Sequence, residues 1–503
     1  MAFRLGRVFH HTLRTVVYGL IGMFITLIVV FVLKMNAQPD LSVWHTAKLD
    51  EEFTVHSNVS SFKDYLALED RLFKQLDELV LSKVVSDEST QINRFSRGSL
   101  SDPGRWPQNW NRSYEMPVDS PKAVVVLLHG MTDSPYSLHS FAEALHRNGA
   151  YVIGLRIPGH GTAPSGLLRV TWQDMAAAVK LAMRHAAEQA HGQPLYILGY
   201  SNGGALAVNY TLDAVADPSL PQVNRLVLLS PEIGVSKAAA FAVWQARLGV
   251  LLGLEKLSWA GLLPEYDPYK YGSFAVNAAD VAYQLTDQIQ QQITALGKQN
   301  KLAGVPPILA FSSIVDATVL APDLIEHLFD RLPKGGHELV LFDINRVAQM
   351  EPILNWNPGK MLAALQANPG KTFTLSFVMN KDDKTLEVLL ASQQAGSNTT
   401  TTTDLGLSWP RNVYSLSHVA LPFPPDDPLY GGEGHAQSPG VHLGDLALRG
   451  ERGVLQVPAD EMLRMRWNPF YSFVEQKVLE FLGLGAPAAT PQSEVPPAAS
   501  TSG

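Results

Sequence analysis

The pentapeptide Gly199-Tyr200-Ser201-Asn202-Gly203 constrains this chain more than any other stretch. An apolar, strand-like run from Pro194 to Leu198 leads into it, and a small-residue run from Gly203 to Tyr210 leads out. A serine between two glycines at this spacing belongs on a sharp strand-to-helix turn. There the backbone is strained, the hydroxyl is lifted clear and the neighbouring side chains must be small. A plain turn serine is the competing reading. The strand before it and the Gly204-Ala205 packing surface after it favour a reactive one.

The surroundings alternate between strands and helices. Ala123 to Leu128 is a continuous β-branched and leucine run, as expected of a strand buried on both faces, and it ends in His129-Gly130-Met131-Thr132-Asp133-Ser134-Pro135. Ala150 to Ile157 is a second such run, ending in Pro158-Gly159-His160-Gly161. Thr171 to Ala190 reads as a helix with Thr171 as N-cap and Asp174 in its first turn. Val223 to Leu229, Pro307 to Ser312 and Glu338 to Phe342 continue the strands, and Asn412 to Leu416 is expected to be the last. This alternation predicts an α/β fold with a mostly parallel sheet, over about residues 120–484.

Two segments interrupt it. Residues 236–300, rich in Ala, Leu, Trp and Tyr, read either as core helices or as a lid over the carboxyl edge of the sheet. Residues 345–412 form a long insertion. It holds two strand candidates, Thr372 to Met379 and Thr385 to Ala391, joined by a turn into a hairpin, followed by a polar surface loop at Ser397 to Thr403. Asn468 to Gly483 closes the domain as an amphipathic helix, and residues 485–503 are expected to be a disordered tail.

The N-terminus carries a different message. Thr15 to Leu33 is apolar and uncharged, long enough to cross a bilayer as a helix. Arg4, Arg7 and Arg14 precede it, whereas Asp40, Asp50, Glu51 and Glu52 follow Lys34. The positive-inside tendency places residues 1–14 in the cytoplasm, residues 15–34 in the membrane and the rest outside the cytoplasm, on the periplasmic side of a bacterial inner membrane. A cleaved signal peptide is the rival, disfavoured by the length of the run and by Met35-Asn36-Ala37-Gln38, a poor cleavage site. Residues 35–119 then form a juxtamembrane region. Within it Ser61 to Val85 has helical apolar spacing suited to packing on the main domain or on a partner, and Ser96 to Pro117 suits a linker. The net charge of -8 argues against a nucleic-acid partner, and the absence of cysteine excludes disulfides, thiolate metal sites and a cysteine nucleophile. No His-x-x-x-His or carboxylate cluster at ligand spacing suggests a metal, and no cofactor is expected.

A serine needs a base to take its proton and the base needs a partner to orient it. Reactive groups of such sheets collect at the carboxyl ends of strands, and three of those ends carry Ser201, Asp316 and His418. They come in the chain order Ser, Asp, His that goes with a nucleophilic serine on such a strand-to-helix turn. Ser201 is the candidate nucleophile, His418 the general base and acid, and Asp316 the orienting carboxylate. Asp343, Asp323 and, for the histidine, His435 are the competitors. His129 and His160, beside glycines in tight loops, are expected to fix loop shape. The oxyanion of acyl transfer needs preorganised donors, and the backbone amides of Asn202 and Met131 are the candidates.

His129-Gly130-Met131-Thr132-Asp133-Ser134-Pro135, Pro158-Gly159-His160-Gly161, Trp172-Gln173-Asp174, Gly199-Tyr200-Ser201-Asn202-Gly203 and Val315-Asp316-Ala317-Thr318-Val319 together resemble the carboxylesterase and monoacylglycerol-lipase branch of the α/β-hydrolase superfamily. The resemblance covers about Lys122 to Phe342 plus the His418 region. It implies a Ser-His-Asp hydrolase with a cap where the apolar insertion lies, acting on a small ester, one with lipid-like character given the membrane nearby. Thioesterase, amidase or peptidase activity on the same triad are the alternatives, although Asn202 stands where proline-specific aminopeptidases of the superfamily usually have Trp. A non-catalytic envelope scaffold with this fold is the alternative from another class.

Overall fold

The computed structural model describes residues 2–36, 38–234, 255–368, 370–432, 438–444 and 458–485. His435, the front of the expected lid and almost all of the expected tail lie outside the described residues.

Helix α1 (Ala2–Asn36) includes Thr12–Val30, 19 residues long and apolar enough to cross a membrane. Its described apolar side chains, Val16 and Phe24 among them, face outward. Helix α2 (Phe62–Leu79) starts at a capping box between Ser61 and Asp64, and its stripe of Phe62, Tyr65, Leu68 and Leu72 is buried. That face packs into the core of the main domain. Two carboxylates complete the join. Glu52 and Glu69 both pair with the fully buried Arg156, at 2.9 Å and 3.2 Å, and the Tyr65 hydroxyl donates to the Arg156 carbonyl. The stretch expected as a linker runs straight into the sheet, because β1 (Tyr114–Met116) pairs antiparallel with β3 (Ala150–Leu155). Asn111 and Ser101 before it are buried, and Asn111 accepts from Arg94 at 2.9 Å. Polar composition there supplies buried hydrogen bonds, so the segment is part of the domain.

The sheet has ten strands in the order β1-β3-β2-β4-β5-β8-β9-β10-β11-β12. Besides those above, these are β2 (Ala123–Leu128), β4 (Leu195–Tyr200), β5 (Arg225–Leu229), β8 (Ile308–Ser313), β9 (Glu338–Phe342), β10 (Thr374–Asn380), β11 (Glu387–Gln393) and β12 (Thr400–Ser408). From β3 to β10 neighbours run parallel. Alternate residues of β2 enter different cores, Val124 and Val126 on one face and Val125 and Leu127 on the other. Both faces are covered, which is why the strands read as unbroken apolar runs. Helix α3 (His139–Arg147) and α9 (Tyr471–Leu482) cover one face. Helix α4 (Trp172–Ala190), α5 (Asn202–Ala216) and α6 (Val276–Lys298) cover the other. Helix α4 carries the expected cap, Thr171 and Asp174 bonding reciprocally.

Three expectations are corrected. Half of the described part of the 236–300 segment is α6, a crossover helix between β5 and β8 whose Leu285, Ile289 and Ile293 are buried in the core. Residues 255–275 carry the two-stranded pair β6 (Trp259–Gly261) and β7 (Phe274–Ala275), outside the main sheet, with Trp259 and Tyr271 packed into the same core. The hairpin of the 345–412 insertion forms, but it extends the main sheet, β10 lying parallel to β9 and β11 antiparallel to β10. The Thr-rich run expected as a loop is strand β12, since a β-branched series pairs readily against β11 even without apolar content. Asn412 to Leu416 is not a strand; β10 already holds the position beside β9, and His418 opens a single 3-10 turn, His418–Ala420.

Breaking the buried Arg156 triad leaves an uncompensated charge, so Glu69→Ala will lower the unfolding free energy of the chain in detergent micelles by about 3–5 kcal/mol in urea titrations. His45, His160 and His337 are neutral in the fold, burial depressing each to about 4. At these three sites the unfolded chain binds more protons between about pH 6.5 and 4, so their share of the stability is lost as pH drops through that window. Buried Glu232, raised to about 7, acts in the opposite sense. The histidine share therefore shows as a difference: between about pH 6.5 and 4 the unfolding free energy of His337→Gln will lose less than that of the wild type, by up to about 3 kcal/mol in urea titrations.

Candidate active site

The serine turn forms because nothing larger than glycine fits around it. Ser201 has φ 53° and ψ -119°, a conformation costly for any side-chain-bearing residue. A Cβ at Gly203 would stand 2.1 Å from the Leu128 carbonyl, and one at Gly199 2.5 Å from the Gly203 carbonyl. The turn is pinned by the Ser201 amide donating to Leu229 at 3.0 Å and by the Glu232 amide donating back to the Ser201 carbonyl at 3.0 Å.

Asp316 follows β8 in a tight turn. Its Oδ1 accepts from the amides of Thr318 and Val319, at 2.8 and 2.9 Å, leaving Oδ2 for Nδ1 of His418 at 2.8 Å. Burial alone would raise the Asp316 carboxyl, but the His418 partnership and the two amides outweigh it and hold the carboxyl below its usual range. Donating from Nδ1 to the carboxylate leaves the other ring nitrogen of His418 as a proton acceptor. Asp343 is occupied elsewhere, paired with Arg346 at 2.9 Å. Asp323 sits on α7 (Ala321–His327) beside Gly234. The structure thus brings together Ser201, Asp316 and His418, with Ser201 and His418 lining one cavity of about 390 Å³.

The loop after β2 reaches the same place. A Cβ on Gly130 would lie 3.2 Å from the Ser201 Cβ, so the loop's backbone abuts the serine. Among the described residues neither the Met131 nor the Asn202 amide donates within the chain. Met131 also lines the cavity, whereas the Asn202 side chain turns away to the Met175 sulfur at 3.7 Å. His129 and His160 hold loops. His129 accepts from the Ile157 amide at 3.0 Å while bonding the Gly130 carbonyl at 2.9 Å, and His160 bonds the Pro158 carbonyl at 3.0 Å. Burial keeps both rings neutral, the nearby Arg156 adding to the effect.

The sequence reading missed much of the wall. Residues 255–275 contribute Leu263, Tyr266, Asp267, Lys270 and Phe274, and the segment before α9 contributes Arg464 and Arg466. Glu232, past the end of β5, has an unpaired carboxylate oxygen at the cavity, and burial pushes it up to about 7. Only its place after a strand end marked it in the sequence. Nothing in the local pattern marked the cations, which arrive from segments distant in the chain. Among the described residues no group of acidic and histidine side chains is arranged to hold a metal.

Residues 119–343 match the family model described as serine aminopeptidase, S33. A thermostable monoacylglycerol lipase from Bacillus sp. (strain H-257) is 33% identical over 84 residues, 17% of this chain; the match spans 33% of that relative's length. A lipolytic enzyme from a metagenome, reported with LipS and LipT, is 20% identical, with a TM-score of 0.36 over 52% of this chain and 98% of its own. The monoacylglycerol lipase of Paleococcus ferrophilus is 17% identical, with a TM-score of 0.34 over 46% and 89%. With the family match lying on the strands, turns and loops just described, residues 119–343 carry an α/β-hydrolase core, part of it similar to a monoacylglycerol lipase.

Proposed function

We propose that the chain is a membrane-anchored serine hydrolase of carboxylic esters, with Ser201 as nucleophile, His418 as base and acid, and Asp316 as its orienting partner. The observation that carries this reading is the His418–Asp316 hydrogen bond at 2.8 Å beside a serine held on a strained turn in the same cavity. With φ 53° and ψ -119° Ser201 stores backbone strain of the kind that gathers at reactive sites.

In the proposed sequence the Ser201 Oγ attacks the ester carbonyl carbon as its proton passes to His418. The carbonyl oxygen takes the negative charge and meets the amides of Met131 and Asn202. His418 then returns the proton to the departing alcohol, leaving an acyl-serine. Water repeats the steps, giving the carboxylic acid and the free serine. The partnership with Asp316 stabilises the charged ring at each crossing. Residues 255–275 act as the lid, Leu263 and Phe274 offering the acyl portion an apolar wall. The relative's name, a monoacylglycerol lipase, supports an ester substrate with lipid character. Thr12–Val30 is the anchor, and it puts the catalytic domain outside the cytoplasm.

The family model's description also names aminopeptidases, so amide cleavage is the reading to measure beside ester cleavage. Hydrolysis of p-nitrophenyl esters from acetyl to palmitoyl, run beside aminoacyl p-nitroanilides, will show turnover of esters over anilides. Ser201→Ala will lose about a thousandfold or more in kcat and will not be labelled by a fluorophosphonate. Asp316→Asn, which keeps the shape but favours the wrong tautomer of His418, will lose about 10³–10⁴ in kcat. Equal trace activity in wild type and Ser201→Ala would overturn the enzyme reading in favour of a scaffold.

A further inference from the structure

We propose that the cavity beside Ser201 takes an ester bearing an anionic group, a carboxylate or a phosphate, which Arg466 recognises. The inference rests on the ester-hydrolase reading above and narrows its substrate class.

The cavity lining is of two kinds. Met131, Leu263, Phe274, Ala278 and Ala282 are apolar. Lys270, Arg464 and Arg466 bring charge to it from segments outside the central sheet. Each charge there has its own account. Lys270 pairs with Asp133 at 3.4 Å. Arg464 lies 3.8 Å from Glu461 and donates to the Thr318 hydroxyl at 3.0 Å. Asp267 accepts from the Tyr430 hydroxyl at 2.6 Å and from the amides of Tyr269 and Lys270. Arg466 is different. It is only 8% exposed, its Nη2 donates to the Tyr266 hydroxyl at 3.1 Å and to the Glu461 carbonyl at 3.5 Å, and its Nε is buried with no acceptor. Among the described residues no carboxylate pairs with it.

The charge of Asp267 is felt at Arg466, but that carboxylate bonds Tyr430, Tyr269 and Lys270 instead, so the guanidinium is buried without a direct ion pair. Such burial is costly, and the flat array of donors matches the two oxygens of a carboxylate or phosphate. Lysine, a point charge, would not give that fit. Four acids, Asp133, Glu232, Asp267 and Glu461, line the cavity and bear on the sign of the local field. Burial pushes Glu232 up to about 7 and raises Asp133, which weakens the repulsion an incoming anion would meet near neutral pH. An amphiphile suits both kinds of lining, its apolar part against Leu263 and Phe274 and its anion against Arg466.

The test uses the full chain in neutral detergent micelles and two matched pairs of esters. Mono-p-nitrophenyl glutarate against p-nitrophenyl valerate places the anion on the acyl side. Octanoylglycerol phosphate against octanoylglycerol places it on the alcohol side. In one pair kcat/KM will favour the anionic ester about tenfold or more, Arg466→Gln will bring the ratio to about one, and Arg466→Lys will retain part of it. Ratios near one in both pairs, or a ratio that Arg466→Gln leaves unchanged, would overturn the proposal. Binding of the same pairs to the Ser201→Ala chain by calorimetry needs no turnover. Should neither ester be cleaved, the hydrolase reading fails alone, and tighter binding of the anionic member still upholds the cation site while equal binding rejects it. Should Arg466→Gln fail to fold, the wild-type ratio and its retention in Arg466→Lys decide.

Discussion

A guanidinium sealed from water ties the front of this molecule to its reactive centre. Arg156, at the end of β3, has no exposed surface and spends its donors on Glu52, Glu69 and the His160 carbonyl. The next amide, that of Ile157, donates to His129, whose other nitrogen bonds the Gly130 carbonyl. Gly130 in turn lies against Ser201. A run of contacts thus leads from α2 and the segment before it to the loop that carries the Met131 amide. Carboxylates from the N-terminal region neutralise a charge without which that loop would lose its support, so the region is a working part of the domain.

The same economy shapes the far edge. Extending the parallel sheet by β10 and then turning back through β11 and β12 leaves the chain to approach His418 through an irregular path. A strand is not needed to aim that imidazole. Its Nδ1 is fixed by Asp316, its ring lies 5.3 Å from the Tyr200 ring, and the Tyr200 hydroxyl reaches the His418 carbonyl at 3.5 Å. Position comes from neighbours already held by β4 and β8.

What could be read in the amino-acid sequence was what short-range physics writes there. Unbroken Val and Leu runs mark strands covered on both faces, Thr171 and Asp174 mark a helix start, and glycines around Ser201 mark a turn without room for side chains. Asp316 was singled out by the turn after β8, whereas His418 was singled out by a strand end, Asn412 to Leu416, that does not form. The errors have physical causes of the opposite kind. Thr400–Ser408 is a strand because β11 offers it an edge, which its own polar composition does not announce. Helix α6 was blurred into the lid because an apolar helix over a sheet and one over a pocket have the same pattern. Arg464, Arg466 and Lys270 were invisible because only the folded chain brings them to one cavity.

The junction behind α1 has a consequence for how the domain meets its surroundings. Within a few residues of the helix, Lys256 bonds the Gln38 carbonyl and Asp40, and the buried His45 bonds Ser273 at 2.9 Å. If a bilayer holds Thr12–Val30, so short a leash, at most about 3.5 Å per residue, would allow little wandering from it. Residues 255–275 would then sit next to the lipid surface with a restricted tilt. Under the proposed function, search for an amphiphile would become a two-dimensional problem, in which surface density and lateral diffusion, rather than bulk concentration, would set how often the cavity is visited.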